Sequence, residues 1–436
     1  MGRLNYSYDS RYLFTFTIRR DGSSVFGKNT SKYGVFPSVA LGWNISRESF
    51  MESNSDWLSN LKLRFSYGKS GNEAIDSYQT ISTLESLSTV FGGLTNIALR
   101  CGVLGNPNLE WETTTNFNVG LDFGLFNQRI NGTLDIYHSN SDGLLLKRNL
   151  PKMTGYSYTF ENIGKTANTG VELTLNTHNI QTSDFAWDTS IVFSWNKNKI
   201  KDLYGDGKDD IGNRWFIGEP IGVIYDYTQV GIWQEDEIAA GLHEQWDPTA
   251  KAGDYKLADL NKDHKITEAD KSVLGQTSPK WTGGLTNTFS YRNFSLSVFI
   301  QTVQGIMREN NDINITKDEF GRRNLAKDYQ YWTSENRNNE WSSLNKNSNP
   351  HGYGVPRKAN YTRIKDVTLS YVFPQNLLSK ANISGLTLYV SGRNLVTFTD
   401  WFGWDPESDQ VKRGSNNWDI NYPLTRSFVF GVNLSF

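Results

Sequence analysis

The stretch "DLNKDHKITEAD", residues 259–270, has the spacing of a calcium loop. Asp259, Asn261 and Asp263 take positions 1, 3 and 5 of a twelve-residue EF-hand-like loop, and Asp270 takes position 12. Lys265 would ligate through its backbone carbonyl at position 7, and Thr267 stands at position 9. A hard cation such as Ca²⁺ takes six to eight oxygen ligands, and this spacing wraps them round one point. Two residues depart from the pattern. His264 fills the slot where glycine usually makes the sharp turn, and Asp270 replaces the usual bidentate Glu. A solvated acidic loop without metal is the alternative.

A second group suits binding rather than catalysis. Trp215, Trp233, Trp246, Trp332, Trp341, Trp401 and Trp404 all lie between the strand-like segments. Flat rings beside Asn and Asp suit sugars, by stacking and hydrogen bonding. Loop tryptophans also pack loops together or mark a membrane interface. In "TDWFGWDPESD" (399–409), Trp401, Trp404 and Asp405 are the expected substrate-facing residues, with a structural role as the alternative.

No catalytic set accompanies them, and no enzymatic activity is expected. The five histidines (His138, His178, His243, His264 and His351) stand in no HExxH or triad-like context. "GDGKDDIG" (205–212) lacks phosphate-loop spacing, and "GKSGN" (68–72) is not a nucleophile elbow. No two carboxylates are paired for acid/base work.

The elements that would position these residues are strands. Phe428, Phe430, Val432, Leu434 and Phe436 alternate with Val429, Gly431, Asn433 and Ser435 up to the last residue. A period of two means a strand with unlike faces. The same alternation marks about thirteen strands, near 2–8, 11–20, 35–45, 61–69, 116–124, 129–138, 168–178, 185–196, 282–291, 293–303, 361–372, 386–395 and 426–436. The connections between them run short, long, short, long without a break. Short turns on one rim and long loops on the other describe an outer-membrane β-barrel, with periplasmic turns and extracellular loops. Lys62, Arg64, Asp122 and Glu172 then face the lumen. On the lipid face a Lys or Arg near the midplane would cost about 2–4 kcal/mol.

Composition agrees. The net charge of −2 and the absence of a basic stripe give no case for nucleic acid. A lone cysteine, Cys101, excludes an intrachain disulfide framework. Aromatic content is 14% although mean hydropathy is polar. No run approaches the ~20 apolar residues of a spanning helix, and "MGRLNYSYDSRY" does not read as a signal peptide. An odd strand number cannot close an antiparallel barrel, and an open sheet in lipid leaves costly unpaired backbone groups. The chain is therefore expected to be part of a larger barrel.

Several ordered blocks carry a family resemblance. They include "NYSYDSRYLFTFTIRRDGSSVFGKNTSKYGVFPSVALGWNIS" (5–46), "LKLRFSYGKSGN" (61–72), "WETTTNFNVGLDFGLFNQRINGTLDIY" (111–137), "NIGKTANTGVELTLNT" (162–177), "PKWTGGLTNTFSYRNFSLSVFIQ" (279–301), "YTRIKDVTLSY" (361–371) and "RSFVFGVNLSF" (426–436). The chain resembles the SusC/RagA-type TonB-linked receptors of the Gram-negative outer membrane over essentially its whole length. The resemblance implies the C-terminal portion of a 22-stranded barrel, of which thirteen strands lie here, with signal peptide, TonB box and plug outside this chain. It implies import of glycans or peptides beneath a SusD-like surface lipoprotein, energised by TonB. It also implies that the 259–270 loop and the 399–409 block recur in relatives, and that the last strand serves barrel assembly. A passive porin or surface adhesin, and a secreted calcium-binding all-β carbohydrate-binding protein, are the other readings.

Overall fold

The computed structural model describes residues 1–54, 56–310, 327, 329–345, 348–379, 383–407, 411–413, 417–419 and 423–436. Thirteen strands form one antiparallel sheet in chain order. They are β1 (Gly2–Tyr8), β2 (Tyr12–Gly22), β3 (Tyr33–Asn44), β4 (Leu58–Asn72), β5 (Glu112–Leu125), β6 (Ile130–Asp142), β7 (Lys165–Gln181), β8 (Phe185–Asp202), β9 (Trp281–Tyr291), β10 (Phe294–Gln304), β11 (Tyr361–Val372), β12 (Gly385–Thr399) and β13 (Ser427–Ser435). Every strand expected from alternation is present, and among the described residues none is added to the sheet. Among the described residues no helix is long and apolar enough to cross a membrane.

Several strands run past their expected ends. β7 and β8 extend to Lys165–Gln181 and Phe185–Asp202. Of the residues added to β8, 197–202, Ile200 alone is apolar and it is buried, so a single hydrophobic position gives no visible alternation, yet the strand continues. The connections keep their parity. Those at 9–11, 45–57, 126–129, 182–184, 292–293 and 373–384 alternate with those at 23–32, 73–111, 143–164, 203–280, 305–360 and 400–426. Length alone is a less clean sorter, because 45–57 exceeds 23–32; it holds two short 3-10 helices, Ile45–Arg47 and Ser49–Asn54.

The chain divides into two compact units, residues 1–179 with 188–221, and residues 180–187 with 222–436. In the first, Leu63 and Tyr67 of β4, Phe117 of β5 and Ile136 of β6 are exposed apolar side chains on one face. The opposite face carries ions. Arg64, Gly120 and Asp135 lie in register across β4, β5 and β6. In the second unit, Phe428, Phe430, Val432 and Leu434 of β13 are all exposed, Phe430 at 80%. A soluble sheet would bury such a row. An exposed apolar row opposite a charged one is the wall of a lipid-embedded barrel.

On the charged face, tyrosines lie over glycines of the neighbouring strand. Tyr137 pairs with Gly170 and Tyr389 with Gly431. A Cβ on Gly170 would lie 2.3 Å from Tyr137 Cζ, and one on Gly431 2.2 Å from Tyr389 Cζ. Each ring covers backbone that glycine leaves bare, a cross-strand pairing that helps fix register.

Candidate functional site

The long connections of the second unit carry a core of their own. Val223–Tyr227 pairs with Lys271–Gln276, Gln229–Ile232 with Tyr255–Leu257, and Met307–Glu309 with Pro356–Lys358. Tyr227, Ile232, Tyr255, Leu257, Trp332 and Val355 are buried among them. Trp332 Nε1 donates to Gln234 Oε1 at 2.9 Å, and Gln234 Nε2 donates to the Asn338 carbonyl at 2.9 Å. Burial pushes the Tyr353 hydroxyl up to about 12. These connections are thus a folded cap. Sequence reasoning read them only as long loops; the signal was strand-like alternation in "VIYDYTQVGIW", too short to stand out from turns.

A cavity of about 460 Å³ opens in this cap, lined by Gln229, Val230, Met307, Asn339, Glu340 and Arg357 among others. Arg357 is already engaged, donating to Gln229 Oε1 at 2.9 Å and to the Glu340 carbonyl at 3.2 Å. Glu340 remains exposed, with Met307 and Val230 supplying apolar wall. The lining comes from separated segments, which is why no motif announces it. Amide, carboxylate and apolar surface together suit a polar ligand with hydrogen-bonding groups on a carbon frame.

The 259–270 loop is held by hydrogen bonds within itself. Asp259 Oδ1 and Oδ2 accept from Lys262 N at 2.7 Å and His264 N at 2.9 Å. Asn261 Oδ1 accepts from Asp263 N at 3.0 Å, and Asp263 Oδ1 from Lys265 N at 3.0 Å. Lys262 and His264 turn the chain at φ 60° and 65°. The glycine slot therefore keeps the left-handed backbone with a histidine in it, a conformation costing a non-glycine about 1–2 kcal/mol. Asp270, wholly buried, accepts from Leu260 N at 2.9 Å and Thr267 N at 2.8 Å, closing the loop. Among the described residues no group of three His, Cys, Asp or Glu side chains stands ready to hold a metal. The carboxylates of Asp259, Asp263 and Asp270 are turned toward backbone N–H groups of the loop.

The expected substrate-facing residues separate. Trp401 is buried with Val303, Ile306, Ala359 and Tyr361. Asp405, 6% exposed, takes the guanidinium of Arg363, itself 2% exposed, at 2.7 Å. Arg363 also donates to Glu407 Oε2 at 2.7 Å and Thr397 Oγ1 at 2.8 Å, and Lys365 joins Glu407 at 2.8 Å. The block is stapled to β11 by ions. Asp405 nevertheless stays below the ordinary carboxylate range: burial pushes it up, and hydrogen bonds from the Glu407 and Leu424 N–H groups and Arg363 outweigh that push. Trp404 alone presents its ring, 68% exposed. Of the other loop tryptophans, Trp233 and Trp332 are buried, and Trp215, Trp246 and Trp341 half-buried.

An antiparallel sheet with an apolar outer row, a charged inner row and a folded cap on its long connections defines a membrane barrel wall of the receptor type. Residues 1–395 match the family described as TonB dependent receptor-like, beta-barrel, and the chain belongs to that family. It is 35% identical over 473 residues to TonB-dependent receptor P3 of Formosa agariphila, and 32% over 450 residues to TonB-dependent receptor SusC of Bacteroides thetaiotaomicron. Those alignments cover 100% of this chain, and 45% and 43% of the relatives. The RagAB peptide importer in its closed-closed state superposes with TM-score 0.80 at 28% identity, over 100% of this chain and 47% of that one. The chain spans less than half the length of the relatives it matches.

Proposed function

We propose that this chain is a barrel wall and extracellular cap of an outer-membrane, TonB-dependent importer of oligosaccharides or peptides, working beneath a SusD-like surface lipoprotein. The observation that carries the reading is the family match over residues 1–395. The RagAB peptide transporter supports a peptide cargo, and SusC, named a TonB-dependent receptor, supports dependence on TonB. Exposed Trp404 and the cap cavity are the surfaces offered to cargo; Trp401 and Asp405 hold the block that presents Trp404. The mechanism is capture and release into the lumen rather than chemistry. Calcium in the 259–270 loop belongs to the same reading. Asp259, Asn261, Asp263 and the Lys265 carbonyl would supply oxygens, with Thr267 and Asp270 closing the loop, and the spacing and the left-handed turns at Lys262 and His264 support it.

Uptake by cells carrying the intact protein tests the reading. Labelled oligosaccharide or peptide mixtures should enter only when both this gene and TonB are functional, and a surface lipoprotein should co-purify. Uptake that persists without TonB would make the barrel a passive pore.

A further inference from the structure

The outer face of the first four strands is not uniform. A groove of about 400 Å³, almost wholly apolar, runs between Tyr6, Phe14, Leu41 and Phe65 on one side and Tyr12, Trp43 and Leu63 on the other. The pairings explain it. Tyr6, Phe14, Leu41 and Phe65 form one cross-strand row, and Tyr8, Tyr12, Trp43 and Leu63 form the next. The second row is aromatic and stacked, Tyr8 on Tyr12 at 6.4 Å and Tyr12 on Trp43 at 6.5 Å with planes 12° apart.

The end of the groove beside the short connections is polar. Buried Glu48 accepts from Trp43 Nε1 at 2.9 Å and from Arg11 Nη1 at 3.1 Å, and Arg11 also pairs with exposed Asp9 at 2.6 Å. The Arg11–Glu48 pair ties the connections at 9–11 and 45–57 together, and Asn44 N, at the end of β3, donates to the Arg11 carbonyl at 2.7 Å. Arg47, on the second connection, is exposed. This places an apolar slot, an aromatic row and a zone holding both charge signs in sequence along one wall. That is the profile of a membrane leaflet from acyl chain to headgroup.

We propose that this groove is a specific lipid site, holding one acyl chain of a zwitterionic phosphatidylethanolamine-type phospholipid. Its phosphate lies at Arg47 and its ammonium at Asp9. The groove is continuous with the exposed apolar residues Phe16, Ile18 and Tyr67 of the same face, so hydrocarbon rather than water or a polar protein surface is its natural filling. The mixed charge selects a zwitterionic headgroup over an anionic one. The proposal rests on the membrane reading above.

Native mass spectrometry of the intact protein, extracted in mild detergent, tests it. One tightly held phospholipid is expected. Leu41→Trp, which fills the slot from an exposed position, should cut retention about ten-fold, the loss when roughly two methylene groups are expelled. Ile136→Trp, on the same face outside the groove, should leave retention unchanged. In add-back to delipidated protein, phosphatidylethanolamine should bind more tightly than phosphatidylglycerol, Asp9→Asn should abolish the difference, and Arg47→Glu should weaken both lipids. Equal retention by wild type and Leu41→Trp, or equal binding of the two lipids, would overturn the site. Heat-modifiable gel mobility checks that each variant is a folded barrel. A wild-type protein that stays monomeric in buffer without detergent would instead refute the membrane reading itself.

Discussion

Arg64 and Asp135 are two strands apart, yet they meet in a bidentate fork, Nη1 to Oδ1 at 3.1 Å and Nη2 to Oδ2 at 2.8 Å. The residue between them in register is Gly120. A Cβ there would lie 2.5 Å from Arg64 Cζ and 2.6 Å from Asp135 Oδ1. Glycine is thus the opening through which the guanidinium crosses β5, while its Nε is held by Asp122 Oδ1 at 2.8 Å. The fork ties β4, β5 and β6 together on the inner face.

Gly120→Ala should therefore destabilise the barrel by about 1–3 kcal/mol, the range for overpacking a filled site. The check is the temperature at which heat-modifiable mobility is lost. Ser66→Ala, on the same face, should leave it within about 0.5 kcal/mol of wild type.

The 399–407 block should separate anchoring from binding. Asp405→Asn removes one of the two carboxylates on the buried Arg363 guanidinium, Glu407 remaining, and the loss of such a charged hydrogen bond costs about 1.5–3 kcal/mol. Trp404→Ala should leave stability within about 0.5 kcal/mol and weaken cargo binding. Thermal melting paired with a binding isotherm on each variant distinguishes these outcomes. Unchanged binding in Trp404→Ala would remove that ring from the cargo surface.

Asp254 gives the cap a pH dependence. Burial raises its carboxyl to about 6, with Asp247 adding to the rise against the Lys251 N–H bond. Because the folded value lies above the ordinary one near 4, the protonated form is favoured by folding. Stability from this group is full below about pH 4 and is lost as pH rises through about 6. Protection factors over 227–258, corrected for intrinsic exchange, should rise from pH 7.5 to pH 5. In Asp254→Asn that rise should be absent.

The metal reading predicts terbium luminescence sensitised by the cap tryptophans and displaced by calcium. Asp259→Ala with Asp263→Ala should abolish it. His264→Gly should strengthen binding, since glycine takes the left-handed turn that His264 holds at φ 65°. No luminescence in wild type would remove calcium from the account.

The wall was legible in the sequence because a lipid-embedded strand must alternate, as Phe428 to Leu434 does, and the alternation survives any register. Strand ends were less legible: in β8, "NKNKIKD" has one apolar residue, buried Ile200, too few to show a period of two, and the strand continues all the same. The cap was hidden because its strands are three to six residues long and its core joins Tyr227, Tyr255 and Tyr353 across more than a hundred positions. Asp405 read as a cargo contact because nothing local announces Arg363. Only the fold brings that partner to it.

The central claim is that the apolar rows face lipid and the charged rows a water-filled lumen. Spin labels at successive positions of β13, in the intact protein reconstituted into vesicles, test it directly. Labels at Phe428, Phe430 and Val432 should be accessible to oxygen and shielded from a water-soluble nickel chelate, with the reverse at Val429, Gly431 and Asn433. Accessibility to the chelate on both sets, without a period of two, would contradict the barrel and with it the importer.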